Sequence, residues 1–135
     1  MKNLGFYISS FKNGVKNLIK WFPVIWKDRD WSEHYIYILL LKKVENKIKF
    51  FQSDNCYSAN SDEVVNQLEI VRKALNRLVK DEYYEEACVF YGVEPYNFDN
   101  DFRRDIYELE EKIRNEDIKV VFSKEVSEQI RGWWD

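Results

Sequence analysis

Residues 31–80 read WSEHYIYILLLKKVENKIKFFQSDNCYSANSDEVVNQLEIVRKALNRLVK and contain two apolar stripes of equal length. The first stripe steps by four, three, four and three positions: Tyr37, Leu41, Val44, Ile48 and Phe51. The second stripe has the same steps: Val64, Leu68, Val71, Leu75 and Leu78. Such spacing keeps each stripe on one helical face, and the polar segment 53–61 between them is typical of a loop. The stretch therefore predicts an antiparallel helical hairpin over residues 31–80.

The ends of these helices carry residues that favour helix starts and stops. Asp30 is followed three residues later by Glu33, which is the spacing of a capping box, so we expect Asp30 to cap the first helix. Ser61 is the expected cap of the second helix. Residues 82–91 either extend that helix or form a short one, with Gly92 as the stop.

The segment 3–22 predicts a basic amphipathic helix before the hairpin. Its apolar side chains fall on one face: Leu4, Tyr7, Ile8, Phe11, Val15, Leu18, Ile19 and Phe22. Lys12, Lys16 and Lys20 fall on another face, and Pro23 disfavours helical geometry at the residue before it, so we expect the helix to end there. We expect this helix to pack into the core with its lysines outside. Binding to an anionic membrane or to nucleic acid is the alternative, although the sequence gives no strong support for either.

The segment 99–134 predicts acidic C-terminal helices. A third apolar stripe contains Phe102, Ile106, Leu109 and Ile113, and a further one contains Ile118, Phe122, Val126, Ile130 and Trp133. Because residues 118–122 are largely β-branched, a short strand there is the alternative. The chain as a whole predicts a small all-α helical bundle, with residues 1–135 forming a single domain.

The composition agrees with a folded helical chain. Its 135 residues are 45% apolar and 17% aromatic, whereas it has only four glycines and two prolines. We therefore expect a packed core and few tight turns. Cys56 and Cys88 follow no metal-ligand spacing, the N-terminus does not look like a signal peptide, and the longest apolar run is too short to cross a bilayer. We expect a cytoplasmic protein.

The net charge of −3 is unevenly distributed along the chain. Residues 1–80 contain 14 lysines and arginines against 8 aspartates and glutamates, a balance of +6. Residues 81–135 contain 7 against 16, a balance of −9. Such a chain can attract partners of opposite sign or fold so that its halves attract each other.

A metal site is one alternative for the cluster Asp28, Asp30, Glu33 and His34. Carboxylate and imidazole groups bind divalent metals, and this set would then serve a metal-binding or hydrolytic protein. A single histidine does not supply the ligands of a di-iron helical bundle, so we expect packing and capping roles instead. The sequence contains no nucleophile–base constellation and no glycine-rich phosphate loop, so we expect no catalytic residues and no cofactor.

Aromatic and acidic residues are the candidates for binding a partner. Tryptophan is enriched in interface hot spots, and acidic stretches can imitate a phosphate backbone. Neighbouring Trp133 and Trp134 differ by about 100° around a helix, so both cannot point inwards. The predicted partner-binding residues are Trp26, Asp28, Arg29, Trp31, Glu85, Glu86, Asp99, Asp101, Trp133 and Trp134.

Several segments resemble a family of small uncharacterised bacteriophage helical proteins. They are WFPVIWKDRDW at 21–31, the apolar helix after it, DEYYEEA at 81–87 and GWWD at 132–135. The resemblance implies a phage origin and, by analogy with small phage proteins that lack enzyme motifs, a non-catalytic inhibitor of a host or defence complex such as a CRISPR effector. Its expected location is the cytosol of an infected bacterium, and a homodimer is an alternative assembly.

Overall fold

The computed structural model describes residues 3–54, 56, 59–97 and 99–133. Within these ranges the chain forms six α-helices and a short 3-10 helix, Ile130–Gly132, and contains no strand. The α-helices are α1 (Leu4–Lys27), α2 (Glu33–Phe51), α3 (Ser61–Lys80), α4 (Tyr83–Tyr91), α5 (Arg103–Val121) and α6 (Lys124–Gln129). The predicted all-α fold is confirmed.

Helices α2 and α3 pair as the hairpin that the two stripes predict, and their facing side chains form most of the main core. The buried residues of the pair are Val44, Ile48, Phe51, Val64, Leu68, Val71, Ala74, Leu75 and Leu78. Ile38 near the start of α2 and Val79 near the end of α3 line one cavity, as antiparallel helices require. Leu68 and Leu75 are 0% exposed, so the 3.5-residue seam is fully covered along its centre.

The C-terminal helices complete this core and build a second, smaller one. Val121 at the end of α5 and Val126 in α6 join the α2–α3 cluster. Ala87 and Cys88 of α4 pack with Ile106 of α5 in the second cluster. Helix α5 runs through Val121, so the helical pattern holds there and the alternative of a short strand at 118–122 is wrong.

The helix ends differ in detail from those predicted. Asp30 does not cap α2, because the cap is Ser32, whose extended backbone lets its Oγ accept the N–H of His34 at 3.3 Å. The residue before α3 is Asn60, one position earlier than expected, and it makes no side-chain cap bond. Helix α4 is a separate short helix that ends at Gly92, with φ of 65°. Only glycine adopts that left-handed conformation without steric cost.

Helix α1 departs most from prediction. It continues through Pro23 to Lys27 instead of ending at Phe22. Proline cannot donate to the carbonyl of Ile19, but both residues are exposed, so water can satisfy that carbonyl and the helix tolerates the loss. The expected packing of α1 into the core is also wrong: none of its 24 residues, all of which the structure describes, is buried.

No helix in the described ranges combines the length and the apolar character needed to cross a membrane.

Candidate binding surface on the first helix

A continuous exposed apolar surface follows one side of α1. We call it the outward face of α1, and it consists of Leu4, Ile8, Phe11, Val15, Leu18, Phe22 and Trp26. The exposed fractions of these side chains run from 38% at Val15 to 74% at Phe11. Tyr7, Ile19 and Ile25 border the stripe and are also exposed. Such a continuous apolar patch is a mark of an interaction site in a folded protein.

Helix α1 meets the rest of the molecule only near its C-terminal end. Along this helix, which the structure describes in full, Trp21 and Val24 are the only half-buried residues. Val24 lines a cavity of about 780 Å³ together with His34 and Tyr35 of α2. Because two residues turn a helix through about 200°, Val24 lies nearly opposite Phe22. Trp26 lines the same cavity but is 71% exposed, so the contact with α2 is confined to the C-terminal end of α1 and leaves the outward face uncovered from Leu4 to Phe22.

Lysines border the outward face on one side. At about 100° per residue, Lys12, Lys16, Lys20 and Lys27 lie between about 60° and 140° from Val15, all in the same direction. Helix α1 contains no aspartate or glutamate. Among the ion pairs of the described residues, none uses a lysine of α1. The apolar stripe is thus combined with four positive charges that no acid on the same helix balances.

The connection from α1 to α2, residues 28–32, holds three of the sequence-predicted binding residues, Asp28, Arg29 and Trp31, and a fourth, Trp26, is in the last turn of α1. Nη1 of Arg29 donates to the carbonyl of Asp28 at 2.6 Å and to that of Trp26 at 3.3 Å. A cation at these terminal carbonyls stabilises the end of α1. Trp26 is 71% exposed and Trp31 is 80% exposed, so the connection adds the indole ring of Trp31 to the outward face.

The residues of the alternative metal site do not form a ligand set. Asp28, Asp30 and Glu33 line a small cavity beside Trp31, whereas His34 lines the neighbouring cavity under α1. Throughout the part of the chain that the structure describes, no three His, Cys, Asp or Glu side chains are placed to hold one ion. Cys56 and Cys88 are free thiols, and Cys88 is buried in the second core.

The acidic candidates Glu85 and Glu86 make contacts within the chain. Glu86 accepts a hydrogen bond from Nη2 of Arg77 at 2.9 Å, and Glu85 accepts one from the phenol of Tyr96 at 3.0 Å. The bond to the Glu85 carboxylate raises the pKa of Tyr96, because it favours the protonated phenol. These two carboxylates connect α4 to Arg77 of α3 and to Tyr96 of the following loop, so part of the predicted acidic surface is used in contacts within the chain.

The centre of the same junction is Tyr83, which is 2% exposed. Its phenol donates to Oδ2 of Asp117 at 2.7 Å, and the guanidinium carbons of Arg77 and Arg114 lie 5.5 and 5.4 Å from its ring centroid. Burial raises the pKa of Tyr83 strongly, and the hydrogen bond to Asp117 raises it further. Arg114 also bonds Asp81 and Glu110, so the arrangement holds α3, α4 and α5 together.

The remaining candidates lie in three different places. Asp99 is exposed in the loop before α5, and Asp101 lines a shallow depression on α5 beside Arg104. Trp133 is half-buried against the main core, where its Nε1–H donates to Oε1 of Gln67 at 3.2 Å. Trp134 lies outside the described residues.

Sequence reasoning missed two features of this molecule. The first is the exposure of α1, which the sequence offered only as the alternative to core packing, because its stripe has the same seven-residue pattern as the stripes of the hairpin. The second is the Tyr83 junction, whose members come from sequence positions as far apart as 77 and 117. No local pattern connects such distant positions.

Comparison of the chain with protein-family models, with curated proteins and with solved structures gives no match.

Proposed function

We propose that this chain is a non-catalytic binding protein that docks on a partner through the outward face of α1. The observation that supports the proposal most is the exposure of that face along the whole helix. Leaving such a stripe in water forfeits the stabilisation that burial would give, about 25 cal/mol per Å² of apolar surface. A partner that covers the stripe recovers this free energy.

The exposed connection after α1 enlarges the proposed surface. Trp26 belongs to the outward face, and Trp31 lies a few residues further on with most of its indole uncovered. Tryptophan contributes large contact area at interfaces and loses little conformational entropy there. We therefore include Trp31 in the docking surface, with Arg29 holding the end of α1 in place.

The narrower hypothesis of a phage-derived inhibitor of a host or defence complex stays a prediction. Part of its motivation was the charge balance of −9 over residues 81–135, which would suit a basic partner. Several carboxylates of that half already accept hydrogen bonds from arginines or a tyrosine of this chain: Asp81, Glu85, Glu86, Glu110 and Asp117. This favours α1 over the acidic half as the principal contact.

Site-specific photo-crosslinking tests the proposal. We would place p-benzoylphenylalanine at Phe11 in one protein and at Phe90 of α4 in another, because these side chains are 74% and 73% exposed. After irradiation of bacterial cells that express each protein, we expect adducts with other molecules at Phe11 and far fewer at Phe90. Crosslinks from Phe11 to helices of its own chain, or equal yields at both positions, would refute the proposal.

A further inference from the structure

The outward face of α1 differs in shape from a seam built for another helix. Its positions from Leu4 to Trp26 repeat in steps of four and three, but Tyr7, Ile19 and Ile25 widen the apolar sector. At about 100° per residue the sector spans about 120°, which is broader than the narrow two-in-seven stripe of a coiled coil. The helix is 24 residues long, and at about 1.5 Å per residue its apolar surface runs for about 36 Å.

We infer that this surface binds an anionic lipid membrane, with α1 lying in the plane of the interface. The inference rests on the docking function proposed above and names the partner of the same surface. Helices that lie at a membrane surface combine aromatic and aliphatic side chains on one face with lysines on the polar face. Helix α1 has this arrangement, with Phe11, Phe22 and Trp26 in the apolar sector.

The charges of α1 determine the kind of lipid. Lys12, Lys16, Lys20 and Lys27 lie beside the apolar sector and no acid accompanies them on the helix. When the apolar sector enters the acyl region, these side chains extend to the level of the headgroups. Each basic residue near an anionic surface contributes attraction that a zwitterionic surface does not provide. The membrane that complements α1 is therefore negatively charged.

A second copy of α1 complements this surface less well. Two copies would bring together lysines with no acid on either helix, so the flanking ion pairs of a coiled coil cannot form. The polar side of α1, which includes Ser9, Ser10, Asn13 and Asn17, opposes a spanning orientation, because those side chains would lie in hydrocarbon. An in-plane position satisfies the apolar sector, the lysines and these polar side chains together, and leaves only the exposed Phe6 on the side away from the membrane.

Vesicle sedimentation with the full chain tests the inference. The vesicles contain phosphatidylcholine alone, or phosphatidylcholine with an equal share of phosphatidylglycerol. We expect binding to the mixed vesicles and little binding to phosphatidylcholine alone. Raising NaCl from roughly 0.1 M to roughly 1 M shortens the Debye length from about 10 Å to about 3 Å and should weaken that binding.

Two pairs of variants separate the apolar and the charged contributions. Phe11→Gln with Leu18→Gln should weaken vesicle binding on the order of 100-fold, since each buried side chain contributes a large apolar area. Val89→Gln with Phe90→Gln is the matched control, because those α4 residues are 76% and 73% exposed. The combined change of Lys12, Lys16 and Lys20 to Gln should weaken binding by a similar factor, on the order of 100-fold. Its charge-matched control changes Lys80, Lys112 and Lys119 to Gln.

The other outcomes are informative in different ways. Absence of binding to the mixed vesicles, or equal binding to both kinds, overturns the membrane inference. If the chain then self-associates in sedimentation equilibrium and Phe11→Gln with Leu18→Gln abolishes the association, a second copy occupies the face and the docking function stands. If that variant instead unfolds as readily as a core variant such as Leu75→Ala, α1 packs within its own chain and both proposals fail.

Discussion

The phenol of Tyr83 donates a hydrogen bond to Oδ2 of Asp117 across 2.7 Å, and this oxygen also accepts from Nε of Arg77 at 2.7 Å. A single carboxylate oxygen therefore links α3, α4 and α5. Because Tyr83 is buried, the link lies at the edge of the main core and not in open solvent. The contribution of the hydrogen bond from Tyr83 to stability should be measurable by removing the phenol oxygen.

The first prediction concerns that hydroxyl group. Tyr83→Phe keeps the ring between Arg77 and Arg114 but removes the donor to Asp117, and should lower the free energy of unfolding by about 1.5–3 kcal/mol. Urea denaturation followed by circular dichroism measures the change. Tyr107→Phe is the control, because Tyr107 is 43% exposed. Equal stability of the two variants would mean that the bond to Asp117 contributes nothing.

The second prediction is a dependence of stability on alkaline pH. The pKa of Tyr83 is raised above its ordinary value of 10.0, so above that pH the unfolded chain loses the phenol proton while the folded chain keeps it. The unfolded state then binds fewer protons, and stability falls as pH rises. From about pH 10 to about pH 11 the free energy of unfolding of the unsubstituted protein should fall by about 1 kcal/mol more than that of Tyr83→Phe.

Comparison with Tyr83→Phe isolates this effect, because the lysines and other tyrosines titrate in both proteins. The measurement is the free energy of unfolding in urea at each pH. Parallel pH profiles for the two proteins would contradict the raised pKa of Tyr83.

The third prediction contrasts one substitution in two helices. Leu75→Ala in α3 removes a side chain that is 0% exposed and should cost about 2–5 kcal/mol. Leu18→Ala in α1 removes a side chain that is 69% exposed and should change the free energy of unfolding by less than about 0.5 kcal/mol. Thermal and urea unfolding measure both. A large loss for Leu18→Ala would show that α1 is covered by its own chain in solution.

The fourth prediction compares two glycines that both have open space around them. A Cβ added at Gly92 or at Gly14 meets no atom within 4 Å, so neither substitution by alanine causes a clash. Gly92 has φ of 65°, and Gly92→Ala should cost about 1–2 kcal/mol through backbone strain alone. Gly14 is in the interior of α1, where Gly14→Ala should favour the helix by about 0.5–1 kcal/mol.

Urea unfolding gives the sign for Gly92→Ala, and the helical signal of circular dichroism reports on Gly14→Ala. Destabilisation by both substitutions would indicate that α1 approaches another part of the molecule at Gly14. A neutral Gly92→Ala would mean that the end of α4 tolerates a different conformation.

The hairpin followed from the sequence because helical periodicity is a local property. Residues three or four positions apart necessarily share a face, so the stripes from Tyr37 and Val64 were sufficient to predict α2 and α3. The stop at Gly92 was equally local, since it depends on the backbone freedom of one residue. The alternative of a strand at 118–122 is wrong: β-branched side chains favour strands only weakly, and this segment continues α5 through Val121.

The sequence by itself determined that α1 is amphipathic and basic, whereas the tertiary structure decided that its apolar stripe stays uncovered. The stripes of α1, α2 and α3 share one spacing, but only the last two meet a partner stripe within the described chain. Whether the stripe of α1 is buried depends on the orientation that the connection at residues 28–32 gives the helix. The spacing of apolar residues does not determine that orientation. The Tyr83 junction has the same physical origin, because its charges meet only after α3, α4 and α5 have packed.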